Sequence, residues 1–395
     1  MWKGSDLVTN LALDFTTQCN LRCNYCYLYS KQDIEADELS VESLIEVTKK
    51  AFKYFPNIEK IELWGGEPTL NPKRITSFVN EMTSLGKSVW APSTNGTLLG
   101  VQKNYNAWKL VNDKGCQVSF DGNKQYHDKY RCNTHDLVVK NLKRCVNFDD
   151  NVSLRTTYRF DDFYDAIITN MVEFPRLYKE FLNDCSNHKR VDKLFAIRPY
   201  KNRKLMMIYQ EVDSIYTKDE ILQKAPLYRQ YYELLDSVID NYLDNDVIFM
   251  PPYIGDTVEA LLSDKDFIEP KNCGSFVSQL YLHAPSGDIY PCLSEDVEQY
   301  KDIGCLMNVH TGDINWSAVN TVRSFMFRRN RKCYTCFLQS SCFGGCYHQA
   351  PSAKNKFNSY WNISNISKCV FSHSIFDVVV NTSQRIIDYI DKTSK

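Results

Sequence analysis

The chain lacks the features that would send it to a membrane, a secretory route or a nucleic acid. None of its 395 residues falls in an apolar run of about eighteen, the length that spans a bilayer. The opening MWKGSDLVTN has no basic segment followed by an apolar stretch, so it does not read as a secretory signal. Charge of one sign is also missing: 47 Lys+Arg against 48 Asp+Glu give a formal net charge of -1, with no global basic field for a polyanion. A cytoplasmic protein with no membrane and no nucleic-acid partner is expected. There is no internal repeat and no low-complexity tract, and 43% apolar with 24% charged residues excludes collagen-like and wholly disordered chains. At roughly 150 residues per domain, two or three domains are expected.

Cysteine is what the chain has in excess. Fifteen cysteines without a secretory signal argue for metal binding rather than a disulfide framework, and an odd count leaves at least one outside any set of pairs.

Short β-rich runs alternate with amphipathic segments up to about residue 200, the pattern of βα units around a parallel sheet. The runs Leu11–Thr17, Lys60–Gly66, Ser88–Gly96, Cys116–Gly122, Val152–Phe160 and Lys193–Tyr200 predict six strands, hence an α/β fold with a partial (β/α)6 barrel. Ser40–Phe55 reads as a helix behind a Ser40 N-cap, and Lys218–Leu243 as one long helix with Leu222, Ala225, Leu227, Leu234, Leu235, Val238 and Ile239 buried. After Pro251–Pro252 long periodic segments become few. Seven cysteines lie between Cys273 and Cys346, Cys369 follows, and such a stretch needs metal clusters in place of a core. Helical spacing returns at Ile375–Ile390. The expected division is 8–245, 246–375 and 376–395.

The first strand leads into Cys19-Asn-Leu-Arg-Cys23-Asn-Tyr-Cys26, a C-x3-C-x2-C loop at the barrel edge where active sites collect. Three thiolates on one tight loop suit three irons of a cubane cluster and leave the fourth open for chemistry. A zinc loop short of one ligand, or three structural cysteines, are the alternatives. Leu63-Trp64-Gly65-Gly66-Glu67-Pro68 ends the second strand, and Ser93-Thr94-Asn95-Gly96-Thr97 and Ser119-Phe120-Asp121-Gly122 end the third and fourth. Asn-Gly and Asp-Gly are also ordinary turn dipeptides.

Together these motifs resemble the radical S-adenosylmethionine (SAM) enzymes, including Tyr27 directly after the third cysteine. The resemblance implies a [4Fe-4S] cluster on Cys19, Cys23 and Cys26, with SAM held near Tyr27, Gly65, Gly66, Glu67, Pro68, Asn95, Ser119, Asp121 and Arg155. The segment Tyr126–Arg131 is similar to the peptide-modifying branch, and no catalytic role is assigned to His127.

Cys273 is followed by thirteen residues, Gly287, four residues and Cys292, then by Cys333-x2-Cys336-x5-Cys342-x3-Cys346 and Cys369. This order resembles the SPASM domain, a C-terminal module that carries two auxiliary [4Fe-4S] clusters. The resemblance implies one cluster on Cys333, Cys336, Cys342 and Cys369, and another on Cys273, Cys292 and Cys346. That second set is one ligand short, because Gln279 stands where sulfatase-maturing relatives have a cysteine; Cys305, an open site or a non-cysteine ligand would complete it. A pair of zinc knuckles is the alternative for the whole field. Cys116, Cys132, Cys145 and Cys185 match no motif and are read as buried or inert thiols.

The implied activity is hydrogen-atom abstraction by a 5′-deoxyadenosyl radical from a ribosomally made peptide, forming a thioether or carbon crosslink. The alternative in the same class is anaerobic sulfatase maturation, oxidation of Cys or Ser to formylglycine. In that branch an Asp commonly follows the second SPASM cysteine, whereas Leu293, Ser294, Glu295 and Asp296 follow Cys292, leaving Glu295 and Asp296 as candidate bases. A non-enzymatic iron–sulfur electron carrier is the alternative of another class. The expected partners are a peptide or protein substrate and a flavodoxin- or ferredoxin-type reductant. With the first strand near Leu11 there is no room for an N-terminal leader-binding domain, so a separate leader-binding protein, or the barrel mouth and SPASM surface, is expected to recognise substrate.

Overall fold

The segment NLALDFT forms the first strand, β1 (Asn10–Thr16), because its residues alternate between two environments. Leu11, Leu13 and Phe15 are fully buried under the outer helices, with Phe15 edge-on to Phe78 at 5.7 Å, so Ala12 and Asp14 face the other side of the sheet. The computed structural model describes residues 5–26, 38–212, 218–262, 278–292, 304–327 and 367–394.

Within these residues the further strands are β2 (Lys60–Gly65), β3 (Ser88–Trp90), β4 (Ser93–Thr94), β5 (Cys116–Ser119), β6 (Val152–Tyr158), β7 (Ile197–Tyr200), β8 (Arg203–Met206), β9 (Tyr209–Val212), β10 (Val247–Phe249), β11 (Gln279–His283), β12 (Asp288–Tyr290) and β13 (Met307–Asn308). The helices are α1 (Val41–Tyr54), α2 (Pro72–Ser84), α3 (Gln102–Lys109), α4 (Lys124–Tyr130), α5 (His135–Asn147), α6 (Phe163–Asp184), α7 (His188–Leu194), α8 (Lys218–Val238), α9 (Asp240–Leu243), α10 (Ile254–Leu262), α11 (Trp316–Phe327) and α12 (Ser367–Thr393).

The α/β architecture with a parallel barrel sheet is present. One sheet runs β13-β12-β11-β1-β2-β3, another β4-β5-β6-β9, and a small third sheet β10-β8-β7. The pairs β1/β2, β2/β3, β4/β5, β5/β6 and β6/β9 are all parallel. Helix α1 starts where expected: the Ser40 side chain accepts the Ser43 backbone N–H at 3.1 Å, and Leu44, Val47 and Ala51 form its buried stripe. Each Leu or Val side chain taken from water contributes roughly 1.5–3 kcal/mol, so these stripes hold the helices on the sheet.

Three details differ from the sequence reading. The run Ser88–Gly96 splits into β3 and β4, which belong to different sheets; Pro92 between them has no N–H for a ladder. The sixth barrel strand is β9, not Lys193–Tyr200, with Arg155 of β6 opposite Tyr209. Lys193 and Leu194 close helix α7, whose first turn the Asn187 side chain caps at the Arg190 N–H, and β7 then turns back through Lys201 (φ 52°) into an antiparallel pair with β8. Finally, the helical stretch 218–243 is divided into α8 and α9, and Leu234 is exposed while Tyr228, Tyr232, Leu235 and Ile239 are buried.

Sheet pairing crosses residue 245, the expected end of the first domain. β11 lies parallel to β1, with Asn10 opposite Gln279 and Leu13 opposite Leu282. Helix α12 packs along α8, where Arg229 holds Asp377 with two hydrogen bonds of 2.9 Å and Thr382 donates to Asp236 at 2.7 Å.

Candidate active site at the mouth of the barrel

β1 ends at Thr16, and the chain continues directly into the cysteine loop. Cys19, Cys23 and Cys26 are half-buried, and Cys26 N–H closes a tight turn on Cys23 O at 3.0 Å. The Cys19 sulfur accepts the Leu21 N–H at 3.4 Å and faces the Asn95 amide at 3.8 Å. Burial is the main cause that lifts the Cys19 thiol above its ordinary range and pushes Cys23 up to about 11, and their negative neighbours add to it. The nearby Arg131 guanidinium opposes that rise at Cys23. These are thiols that gain from a bound cation. Three soft sulfur donors on one loop, held out of water and repelling one another, fit an iron–sulfur cluster in their chemistry. Among the described residues no three His, Cys, Asp or Glu side chains gather round a single metal ion.

The glycine pair at the end of β2 is fixed against this loop. Gly65 has φ 113°, and a Cβ there would stand 2.1 Å from Thr16 O; a Cβ on Gly66 would stand 2.0 Å from Gln18 O. Backbone contact takes the place of side chains: Gly66 N–H donates to Thr16 O at 2.7 Å and Glu67 N–H to Gln18 O at 2.9 Å. A register irregularity between Asp14 and Thr16 gives β1 the offset this approach needs.

Glu67 is buried and its carboxylate is heavily used. Oε1 accepts the Thr69 N–H (3.1 Å), the Thr69 hydroxyl (2.5 Å) and the Thr94 hydroxyl (2.8 Å), while Oε2 accepts the Asn95 N–H (2.7 Å). Burial raises its carboxyl, and these donors pull it back. Pro68, also buried, opens a short helical turn that Glu67 caps. Asn95 in turn donates to Asn20 Oδ1 at 2.9 Å and accepts from Thr97 N–H and hydroxyl at 3.0 and 2.7 Å; Asn20 donates to Thr97 at 2.8 Å. The strand end and the cysteine loop are therefore one hydrogen-bonded unit.

Asp121 is fully buried and serves the same loop from the opposite side. Its Oδ2 accepts from Arg131 Nε at 2.8 Å and from the Tyr25 hydroxyl, and its Oδ1 accepts the Thr157 N–H at 3.0 Å. Ser119 and Arg155 are direct partners across β5 and β6, both half-buried, with the Arg155 guanidinium 5.2 Å from the Tyr209 ring centre.

Asn20, Tyr25 and Arg131 were given no role by sequence reading; Asn20 and Tyr25 stand inside the cysteine motif itself, and Arg131 ends the segment Tyr126–Arg131. Asp14, on the inner face of β1, was also missed. It accepts the Tyr281 hydroxyl from β11, and burial raises its carboxyl. Of the unassigned cysteines, Cys116, Cys145 and Cys185 are buried as expected, but Cys132 is exposed, at φ 58°, and its sulfur accepts the Arg22 N–H at 3.3 Å. It belongs to the turn that runs along the cysteine loop.

Cys292 lies two residues after β12 and Cys305 two before β13; both are half-buried, and burial followed by the Asp288 carboxylate pushes Cys305 up to about 11. The pairing ends at Ile289 and Met307, and Leu306 N–H also donates to Ile289 O at 2.7 Å, so the ladder shifts by one residue before Cys305. Tyr27, Cys273, Glu295, Asp296, Cys333, Cys336, Cys342 and Cys346 lie outside the described residues, as does the side chain of Cys369.

The parallel strands thus carry the cysteine loop at one mouth with the Gly-Gly-Glu turn beside it. Residues 13–161 match the Radical SAM superfamily. Across 87% of its length it is 22% identical to a cysteine-type anaerobic sulfatase-maturating enzyme of Clostridium novyi (strain NT), covering 89% of that protein. A GTP 3′,8-cyclase of Haemophilus influenzae (strain PittGG) is 35% identical over 145 residues, 36% of this chain and 42% of the cyclase. In fold, the chain is similar to native anSMEcpe with bound AdoMet (TM-score 0.57, 16% identity, 96% of this chain and 100% of that one). It is also similar to Streptococcus suis SuiB bound to S-adenosylmethionine (TM-score 0.51, 17% identity, 87% and 74%).

Proposed function

We propose that the protein is a radical SAM oxidoreductase that modifies a peptide. The observation that carries this reading is the joint fixing of the Cys19–Cys26 loop by Gly66, Glu67 and Asn95, which prepares three thiols and a backbone cradle at one barrel mouth. Cys19, Cys23 and Cys26 would hold a [4Fe-4S] cluster, and SAM bound to it would supply a 5′-deoxyadenosyl radical on one-electron reduction. Gly65 and Gly66 leave space for close backbone approach, while Ser119 and Arg155 offer a hydroxyl and a guanidinium to polar groups of SAM. In this reading Glu67, Asn95 and Asp121 act mainly by holding the loop, since their polar atoms are engaged with Thr69, Thr94, Asn20, Thr97, Arg131 and Tyr25.

The finer reading keeps the division at residues 245 and 375, with a SPASM module carrying two auxiliary clusters, one on Cys333, Cys336, Cys342 and Cys369. For the other, on Cys273, Cys292 and Cys346, the set is completed by Cys305, an open site or a non-cysteine ligand. The substrate class is a ribosomally made peptide that acquires a crosslink, with electrons from a flavodoxin or ferredoxin and leader binding by a separate small protein or by the barrel and SPASM surfaces. Two similar structures have peptides bound: SuiB with precursor peptide SuiA, and anSMEcpe with Cp18Cys peptide. The second reading, formylglycine formation, is favoured by the near full-length match to the Clostridium novyi enzyme.

Anaerobic reconstitution tests the proposal: about twelve irons per chain are expected from three cubane clusters. Changing Cys19, Cys23 and Cys26 together to Ala should abolish 5′-deoxyadenosine formation and remove about four irons. Continued SAM cleavage by that variant would refute the assignment.

A further inference from the structure

We propose that Arg131 is the positioning residue of the cysteine loop, fixing its shape through Asp121 and Tyr25 and placing a buried positive charge opposite Cys23. This rests on the reading that the loop binds an iron–sulfur cluster. The turn after α4 runs antiparallel along the loop: Asn24 N–H donates to Tyr130 O at 3.2 Å, the Asn24 amide to Lys129 O at 3.3 Å, and Arg22 N–H to the Cys132 sulfur at 3.3 Å. These contacts bracket Cys23 on one segment and Arg131 on the other, so the two residues face each other.

Arg131 is only 7% exposed. Its Nε lies 2.8 Å from Asp121 Oδ2, the oxygen that also receives the Tyr25 hydroxyl, and its guanidinium carbon is 5.2 Å from the Tyr25 ring centre. Tyr25 stands between Cys23 and Cys26, so one carboxylate oxygen joins the loop to the arginine. The rest of the turn is equally constrained. Asp121 N–H donates to His127 Nδ1 at 3.2 Å, His127 Nε2 meets Thr134 Oγ1 at 3.1 Å, and that hydroxyl donates to Arg131 O at 2.7 Å.

Burying a guanidinium costs several kcal/mol, and Asp121 neutralises one unit of charge. The remaining electrostatic partners are the Tyr25 hydroxyl and the Cys23 sulfur, so the charge has been set where thiolates gather. Two other cations approach the loop, and both are in solvent: Arg22 turns its guanidinium to Cys19 O and Leu21 O, and Lys129 is paired with Asp162. A fixed cation in a low-dielectric site favours the more negative, reduced state of any cluster held by Cys23.

The test is an EPR-monitored redox titration of the full-length reconstituted chain, following the cluster signal that SAM perturbs. Arg131→Met is expected to lower the reduced-to-oxidised ratio at a fixed potential by about tenfold, about 59 mV for one electron. Arg131→Lys should recover most of that ratio but release iron to a chelator faster than wild type, having lost the Nε hydrogen bond to Asp121. Tyr25→Phe should leave the ratio within about twofold and also release iron faster. A wild-type ratio in Arg131→Met overturns the proposal. If Arg131→Met does not fold by circular dichroism, wild-type iron release in both Arg131→Lys and Tyr25→Phe overturns it instead. A wild-type chain with no SAM-responsive cluster would instead refute the proposed function.

Discussion

Glu67 and Asn95 are joined by a 2.7 Å hydrogen bond from the Asn95 backbone N–H to Glu67 Oε2. The two residues follow strands of different sheets, β2 with β1 and β3, and β4 with β5 and β6. No backbone ladder joins β3 to β4, so this carboxylate bridges the gap in the barrel wall beside the cysteine loop. Glu67→Ala leaves the Thr69 and Asn95 N–H groups and two threonine hydroxyls without their acceptor in a dry site. We predict a loss of roughly 3–5 kcal/mol in urea unfolding, with Glu67→Gln less damaging because it keeps one carbonyl acceptor. Equal stability of Glu67→Ala and wild type would rule out the bridge.

Gly66→Ala meets Gln18 O at 2.0 Å, a backbone atom that cannot swing aside. We predict that the substitution costs about 2–3 kcal/mol and displaces the loop, lowering iron occupancy at Cys19, Cys23 and Cys26. Gly86→Ala is the control: no atom lies within 4 Å of a Cβ there, so only the strain of φ 74° is felt. Similar iron content in both variants would argue against the close approach.

His127 is held neutral. Burial lowers its imidazole from 6.5 to about 3, and its Nδ1 accepts the Asp121 N–H. The unfolded chain takes up the proton below about 6.5 while the folded chain refuses it, so this contribution to stability is complete above about 6.5 and is lost as pH falls toward 3. The slope is about 1.4 kcal/mol per pH unit within that window. Urea unfolding of wild type and His127→Gln at pH 7, 5.5 and 4.5 checks this. The stability advantage of wild type should shrink on acidification; a constant difference would show that His127 titrates normally.

Product analysis separates the two enzymatic readings. A crosslinked peptide loses a pair of hydrogens per bond and resists proteolysis across the linked residues, without a new carbonyl. Formylglycine is an aldehyde that a hydrazide reagent traps, and its formation needs a base for the substrate SH or OH proton. Leu293 cannot serve, so that route would rest on Glu295, Asp296 or another carboxylate. We predict no trappable aldehyde from a sulfatase-derived peptide. An aldehyde that disappears with Glu295→Gln plus Asp296→Asn would reverse the choice.

The barrel and the loop were legible in the sequence because their signals are local. Leu11, Leu13 and Phe15 alternate, Ser40 caps, and Gly65-Gly66 announces a backbone that nothing larger would permit. The sixth strand was not legible, because the β-rich letters of Lys193–Tyr200 go partly to a helix capped by Asn187 and partly to a hairpin. Nor was the partner of Asp121, since a buried Arg–Asp pair depends on how the turn at Cys132 and Asn133, both with positive φ, brings residue 131 back over the loop. Asp-Gly alone reads only as a turn.

The pairing of β11 with β1 bears on the order in which the molecule is made. Asn10 finds its neighbour Gln279 only after 269 further residues have left the ribosome, and until then one edge of the strand that feeds the cysteine loop is bare. Metal delivery to that loop during synthesis would meet a half-built wall. Through that interval Cys19, Cys23 and Cys26 hang from a strand that is paired on one side only.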